Sequence, residues 1–226
     1  MIPLRDNIPS SSYPVVTVAL IGVNVLAFLY ELQLGPELEP FLLIHGFVPA
    51  RYLYLVATEP WNLPTRFLPM LTSLFLHGGW LHLIGNMWTL WIFGDNVEDR
   101  LGKGRFLLYY LVCGLAAAYV HYLTGPQSGV PVVGASGAIA GIMGGYVVLF
   151  PHARILTLLP IFIFIQIVNV PAVFFLVFWF FAQLLNGMVA TAASFGGGVA
   201  WWAHVGGFLA GAGMMIPRRR SRLYYE

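Results

Sequence analysis

Six long apolar stretches, separated by more polar joints of which 33–79 is the longest, constrain this chain more than any other feature. They cover roughly residues 14–32, 80–97, 105–124, 135–151, 171–189 and 199–216. About 20 mostly apolar residues span the hydrocarbon core of a bilayer as a helix. Each stretch therefore predicts a spanning helix, and together they predict an all-α, polytopic membrane protein folded as one domain over residues 1–226. A short segment, 1–13, precedes the first helix, and a basic tail, 217–226, follows the last. Charged residues make up 9% of the chain, against roughly 25% in soluble domains. The net charge of +2 gives no footprint for nucleic acid, since the basic residues fall in short joints and the tail. Cys113 stands alone in an apolar run, which excludes a disulfide framework and a cysteine metal site. Residues 155–168 are apolar too, but 155–189 is too long for one span and too short for two. Proline breaks helices, and Pro160 and Pro171 bracket Ile161 to Ile167, so this piece is expected to be an extended or interfacial connection.

Lysine and arginine set the orientation. With the first residues inside, the inner side takes Arg5, Arg100, Lys103, Arg105, Arg154, Arg218, Arg219, Arg220 and Arg222, and the outer side keeps Arg51 and Arg66. Nine against two puts both ends of the sequence in the cytoplasm. The second, fourth and sixth segments then run from outside to inside. His82, Ser136 and His204 each fall within about the first turn of one of them, in one layer below the outer face.

Polar side chains inside a span are expensive and by default mark function. Ser136 stands in Gly134-Ala135-Ser136-Gly137, and His204 in Ala203-His204-Val205-Gly206-Gly207. A serine hydroxyl becomes a nucleophile when a base takes its proton, and histidine is the residue suited to that near neutral pH. No carboxylate completes a triad, so the expected machinery is a Ser–His dyad. An acyl-transfer site also needs donors for the developing oxyanion. His82 and Asn86 are four apart and share a helix face, and the backbone N–H of Ser136 at a helix start can add a third donor. Gly137, Gly141 and Gly145, with Gly207 and Gly211, form small-residue faces that let the fourth and sixth helices approach closely.

The segments around Ser136 and His204, and His82-xxx-Asn86, resemble the signature of the rhomboid family of intramembrane serine proteases, as does Gly94-xxx-Glu98-xxx-Gly102. The likeness covers roughly residues 70–215. It implies a rhomboid-like bundle of six transmembrane helices in the cell membrane, with Ser136 as nucleophile, His204 as general base, and His82 and Asn86 as oxyanion donors. The implied reaction is hydrolysis of peptide bonds in or near transmembrane segments of single-pass or polytopic substrates, with no metal or cofactor. The chain departs from the family in two places. Ala140 stands four residues after the nucleophile, where many members carry an aromatic side chain that packs on the histidine. A Trp-Arg pair common in the first outer loop is absent, because Trp61 and Arg66 are separated.

Other readings of the same residues are weaker. Ser136 alone would be a helix-packing serine, and His82 with Asn86 interhelical glue. A catalytically silent relative that binds transmembrane segments remains the main alternative, and a small transporter is disfavoured by the scarcity of buried carboxylates. No His-Glu-x-x-His motif occurs, no second intramembrane aspartate partners Asp95, and Ser136 lacks a Gly-x-Ser-x-Gly elbow because residue 138 is alanine. His45, His121 and His152 are expected in loops or at the interface, His77 in the turn before the second helix, and Glu98 and Arg100 as ties at its inner end. The aromatic run from Phe174 to Phe181 marks the fifth helix as a candidate gate. The Arg218–Arg222 cluster reads as a topology anchor with lipid head-group contacts.

Overall fold

The computed structural model describes residues 1–161, 164–192 and 199–220, with side chains left aside at 161 and 218–220. The tail beyond 220, including Arg222, lies outside the described residues, as do the side chains of Arg218 to Arg220.

Each of the six apolar stretches forms a helix: α1 (Val15–Glu31), α5 (Trp80–Leu101), α6 (Lys103–Thr124), α7 (Ser136–Leu149), α8 (Ala172–Ala192) and α9 (Trp201–Arg220). Three short helices, α2 (Leu38–His45), α3 (Pro49–Thr58) and α4 (Leu63–Thr72), fill the long loop between α1 and α5. Helices α6 and α8 are long and apolar enough to cross a membrane singly, while α1 with Gly35–His45 and Leu63–Phe75 with α5 qualify as bent pairs. Helix α7 is shorter. Large apolar side chains such as Leu108 on α6 and Phe174, Phe178 and Leu185 on α8 lie open on the outer surface, as lipid-facing residues do. The molecule is a mostly helical, multi-pass membrane bundle, as the all-α expectation requires, with one small sheet.

The bundle has a tight side. Gly207 and Gly211 of α9 press on the backbone of α7, where an added Cβ would fall 2.0 Å from the carbonyl oxygens of Gly137 and Gly141. Gly144 of α7 meets the Phe208 carbonyl of α9 in the same way. The four-residue row Gly137, Gly141, Gly145, expected to face α9, turns mainly to α6, against Ala117, Cys113 and Tyr109. Helix α7 thus touches two helices at once, and the hydroxyl of Tyr109 donates to the Gly141 carbonyl at 2.6 Å.

The Gly94-xxx-Glu98-xxx-Gly102 pattern has a local explanation. Gly94 leaves room for Thr17 of α1. The buried Glu98 carboxylate accepts the N–H groups of Val16 and Thr17 at 2.9 and 2.7 Å, and the Thr17 hydroxyl at 2.8 Å. It satisfies donors that open every helix. Gly102, at φ +77°, makes the sharp turn from α5 into α6. Glu98 is therefore structural, as its position predicts.

The other side of the bundle holds a sheet. The described residues of 155–168 are extended, as expected, and lie in two antiparallel partners, β2 (Arg154–Ile161) and β3 (Phe164–Pro171). Residues 1–13 are more than a lead-in: Ile2–Asp6 form β1, antiparallel to β2, in the order β1-β2-β3. Ser10, Ser11 and Ser12 then tie the chain to Asp95 and Asp99 at the far end of α5.

Candidate active site

Three helix starts converge on one cavity. His82 lies in the first turn of α5, Ser136 opens α7, and His204 sits in the first turn of α9. The loop helices brace the approach to Ser136. Phe47 and Val132 exchange backbone hydrogen bonds at 3.0 and 2.8 Å, and the Gly134 N–H reaches the Ser73 carbonyl at 2.8 Å. Arg51 holds this loop by donating to the carbonyls of Leu43 and Gly46. Arg66 packs on the rings of Tyr52 and Phe67 instead of pairing with Trp61, which is exposed.

The Ser136 hydroxyl and His204 Nε2 are 2.8 Å apart, a hydrogen bond of normal length. On the far side of the ring, His204 Nδ1 lies 2.7 Å from Gln183 Oε1 of α8. An amide oxygen only accepts, so the proton sits on Nδ1 and the Nε2 lone pair faces the serine. Gln183 and His204 are both buried. The ring is flanked by Trp179 of α8, its centroid 5.8 Å away, and by Trp201 at 6.3 Å. The question raised by Ala140 has this answer: the histidine is held from α8, by an amide and an indole, and not from α7. Residue patterns gave no warning of Gln183, because a single amide in an apolar helix has the same appearance whether it faces lipid or a histidine.

Opposite the dyad stand donors without acceptors. Asn86 Nδ2 is buried and has no partner among the described residues, an arrangement that ordinarily destabilises a fold. His82 Nδ1 accepts from the Gly78 N–H at 3.4 Å, which leaves the proton on Nε2, toward the cavity. A Cβ at position 134 would fall 2.6 Å from His82 Nε2 and 3.6 Å from Asn86 Nδ2. Glycine there, at φ +123°, keeps the space before both donors open. The N–H groups that begin α7 have no intrahelical acceptor.

The remaining histidines divide. His77 is buried in the turn before α5, its N–H donating to the Glu31 carboxylate, and its ring centroid is 5.1 Å from that of His82. His121 is not in a loop: it lies in the last turn of α6 and lines the main cavity. His45 ends α2, and His152 is exposed after α7.

Two cavities meet at the dyad. The larger, about 830 Å³, is lined by His82, Asn86, Ser136, His121 and His204. The smaller, about 340 Å³, shares Asn86, Ser136 and His204 and extends past Trp179 and Gln183 to Met1 and Pro3.

Comparison with known sequences fits this geometry. The family model for the rhomboid domain matches residues 64–221. The protein named "Putative rhomboid protease YdcA" of Bacillus subtilis is 34% identical over 70% of this chain and 78% of its own. Rhomboid protease GluP of the same organism is 35% identical over 58% of this chain and 24% of its own. Presenilin-associated rhomboid-like protein A, mitochondrial, of Danio rerio is 34% identical over 52% and 32%. The match thus spans about a third or less of the length of the last two.

Proposed function

Because the chain belongs to the rhomboid family, we propose that it is an intramembrane serine endopeptidase working through a Ser136–His204 dyad. The observation that carries this reading is the 2.8 Å Ser136–His204 hydrogen bond facing the unpartnered Asn86 amide.

The chemistry follows from the atoms in place. His204 Nε2 takes the Ser136 proton as Oγ attacks a peptide carbonyl. The tetrahedral oxyanion accepts hydrogen bonds from Asn86 Nδ2, His82 Nε2 and the start of α7, donors fixed before the charge develops. The imidazolium, steadied by Nδ1–H donation to Gln183, passes its proton to the leaving amine. Water then attacks the acyl-serine with His204 again as base, releasing the acid and restoring the hydroxyl. Gln183 acts as the positioning residue that fixes the tautomer. The nine-to-two distribution of basic residues supports a site opening to the extracytoplasmic face of the cell membrane, with both ends of the sequence cytoplasmic. Substrates are then membrane proteins cut near that face, entering between α5 and α8.

The test uses purified protein in detergent. A fluorophosphonate should label wild type, and a transmembrane reporter should be cleaved. Ser136→Ala should abolish both, and His204→Ala should bring both near background. Equal behaviour of wild type and Ser136→Ala sinks the protease reading and leaves a silent binder of transmembrane segments.

A further inference from the structure

The gap between α5 and α8 is closed by strands, and one of the three is held far less firmly than the others. Strands β2 and β3 pair without interruption from Arg154↔Pro171 to Ile161↔Phe164. Strand β1 pairs with β2 only at Ile2, Pro3, Arg5 and Asp6, with a register break between Pro3 and Arg5. Pro3 has no N–H to give a ladder, and the irregularity removes another pair. On its outer edge, β1 is met by the Trp88 indole of α5, which donates to the Pro3 carbonyl at 2.7 Å. The weakest strand is also the one nearest the chemistry, because Met1 and Pro3 line the smaller cavity with Ser136 and His204.

The surroundings make β1 replaceable but not dispensable. Phe164, Ile165 and Ile167 of β3, and Phe174 and Phe178 of α8, are exposed apolar residues on this flank, so the sheet borders lipid. Backbone N–H and C=O groups left open in hydrocarbon are strongly unfavourable. If β1 left, the exposed edge of β2 would demand another extended segment.

We propose that the β2 edge covered by β1 is the docking site for the unwound stretch of a membrane-protein substrate, which displaces β1 when it binds. The proposal rests on the protease reading of Ser136. It also gives the direction of docking. Strand β1 runs from the dyad cavity at Met1 to the far end, where Asp6 accepts from Asn96 Nδ2 at 2.8 Å and from the Tyr146 hydroxyl. A substrate strand in its place, antiparallel to β2, puts its earlier residues at Ser136 and lays the residues after the cut along Ile155–Leu158. Such β-augmentation draws affinity from main-chain hydrogen bonds. Recognition therefore falls on the C-terminal side of the cleaved bond and depends on the backbone there.

A reversible lock tests this in the full chain. Ile2 and Leu158 are opposite partners, and opposite residues place their Cβ atoms about 4.5–5.5 Å apart. Ile2→Cys with Leu158→Cys should form a disulfide on oxidation, and the native Cys113 is buried. The oxidised form should keep fluorophosphonate labelling of Ser136 and lose cleavage of a transmembrane reporter by roughly tenfold or more, since the competent state is no longer populated. Reduction of the same sample should restore cleavage, which controls for misfolding. Equal cleavage by oxidised and reduced forms overturns the proposal. If neither these forms nor wild type is labelled, the protease reading itself has failed and the docking site falls with it.

Discussion

The two flanks of the bundle are built on opposite rules. On one, α7 and α9 meet backbone to backbone through glycines, α6 side chains pack on the same glycines, and the contacts leave no space for a methyl group. On the other, α5 and α8 stand apart, and the gap holds a small sheet, bulky aromatic residues and the 340 Å³ cavity. Both members of the dyad come from the tight flank, Ser136 on α7 and His204 on α9. What orients the base, Gln183 and Trp179, comes from the loose flank on α8. On the proposed function, the reacting atoms are set by close glycine packing, while the geometry of the base depends on the helix that borders the proposed entry. With the pair on one flank and its support on the other, the two flanks are separable by mutation.

The largest effect should come from the tight flank. Gly207→Val would place a branched side chain where even a Cβ falls 2.0 Å from the Gly137 carbonyl. Backbone cannot yield as a side chain can, so destabilisation at or beyond the roughly 1–3 kcal/mol of ordinary overpacking is expected. The thermal midpoint in detergent should drop by several degrees, with active-site labelling lost alongside. Gly213→Ala on the same helix, with nothing within 4 Å, should leave both unchanged. If Gly207→Val is tolerated, the tight flank is not what holds the dyad together.

Next comes Asn86, on the wall of both cavities and the proposed oxyanion donor. Asn86→Ala removes a buried, unpartnered amide, so folded stability should hold or rise while kcat falls about 10²–10³-fold, as for the loss of one oxyanion donor. A parallel loss of stability with no selective fall in kcat would mean that Asn86 packs the helices and does not serve the reaction.

What could be read from residues alone follows the same division. The tight flank was legible: glycine spacing on the fourth and sixth segments implied close approach, and the serine and histidine at matching depth implied the 2.8 Å hydrogen bond of the structure. The facing of individual glycines was less so, because α7 is wedged between two helices and its four-residue row turns to α6. The loose flank was nearly illegible. Strand β1 arises from pairing with β2 more than 140 residues later, a long-range choice that local pattern does not encode. Residues 155–168 announced themselves as extended only through their prolines. Gln183 was silent because an amide's meaning depends on what faces it across the bundle.

Gln183 gives the direct test of coupling between the flanks. Gln183→Leu keeps the volume but leaves the Nδ1 proton of a buried ring without an acceptor. Losses of about 1–3 kcal/mol accompany such orphaned groups, so kcat should fall about 10- to 100-fold with KM nearly unchanged. Gln183→Glu, which still accepts, should recover most of the rate. A Leu variant with full kcat, or a Glu variant as slow as Leu, would show that α8 does not orient the base. Labelling of Ser136 by fluorophosphonate should follow kcat in the same order.

The smallest expected effect concerns the far anchor of β1. Asp6 lies outside the spanning helices, facing Tyr146 of α7 and Asn96 and Asp95 of α5. Burial pushes its carboxyl up to about 6; the Asp95 charge adds to this and the Tyr146 hydrogen bond opposes it. An unfolded aspartate titrates near 4, so the folded state binds this proton more tightly. The stabilisation is therefore complete below about pH 4 and is lost as pH rises through about 6. Thermal midpoints in detergent should rise modestly as pH falls from 7.5 to 5. Asp6→Asn, neutral throughout, should flatten that dependence and at pH 7.5 match or exceed wild type. If β1 is the displaceable strand, the same substitution should slow cleavage of a transmembrane reporter at pH 7.5 while leaving Ser136 labelling intact, because a neutral side chain holds the strand in place. An unchanged pH slope in Asp6→Asn would move the anchor elsewhere, to the serines that tie residues 10–12 to Asp95 and Asp99.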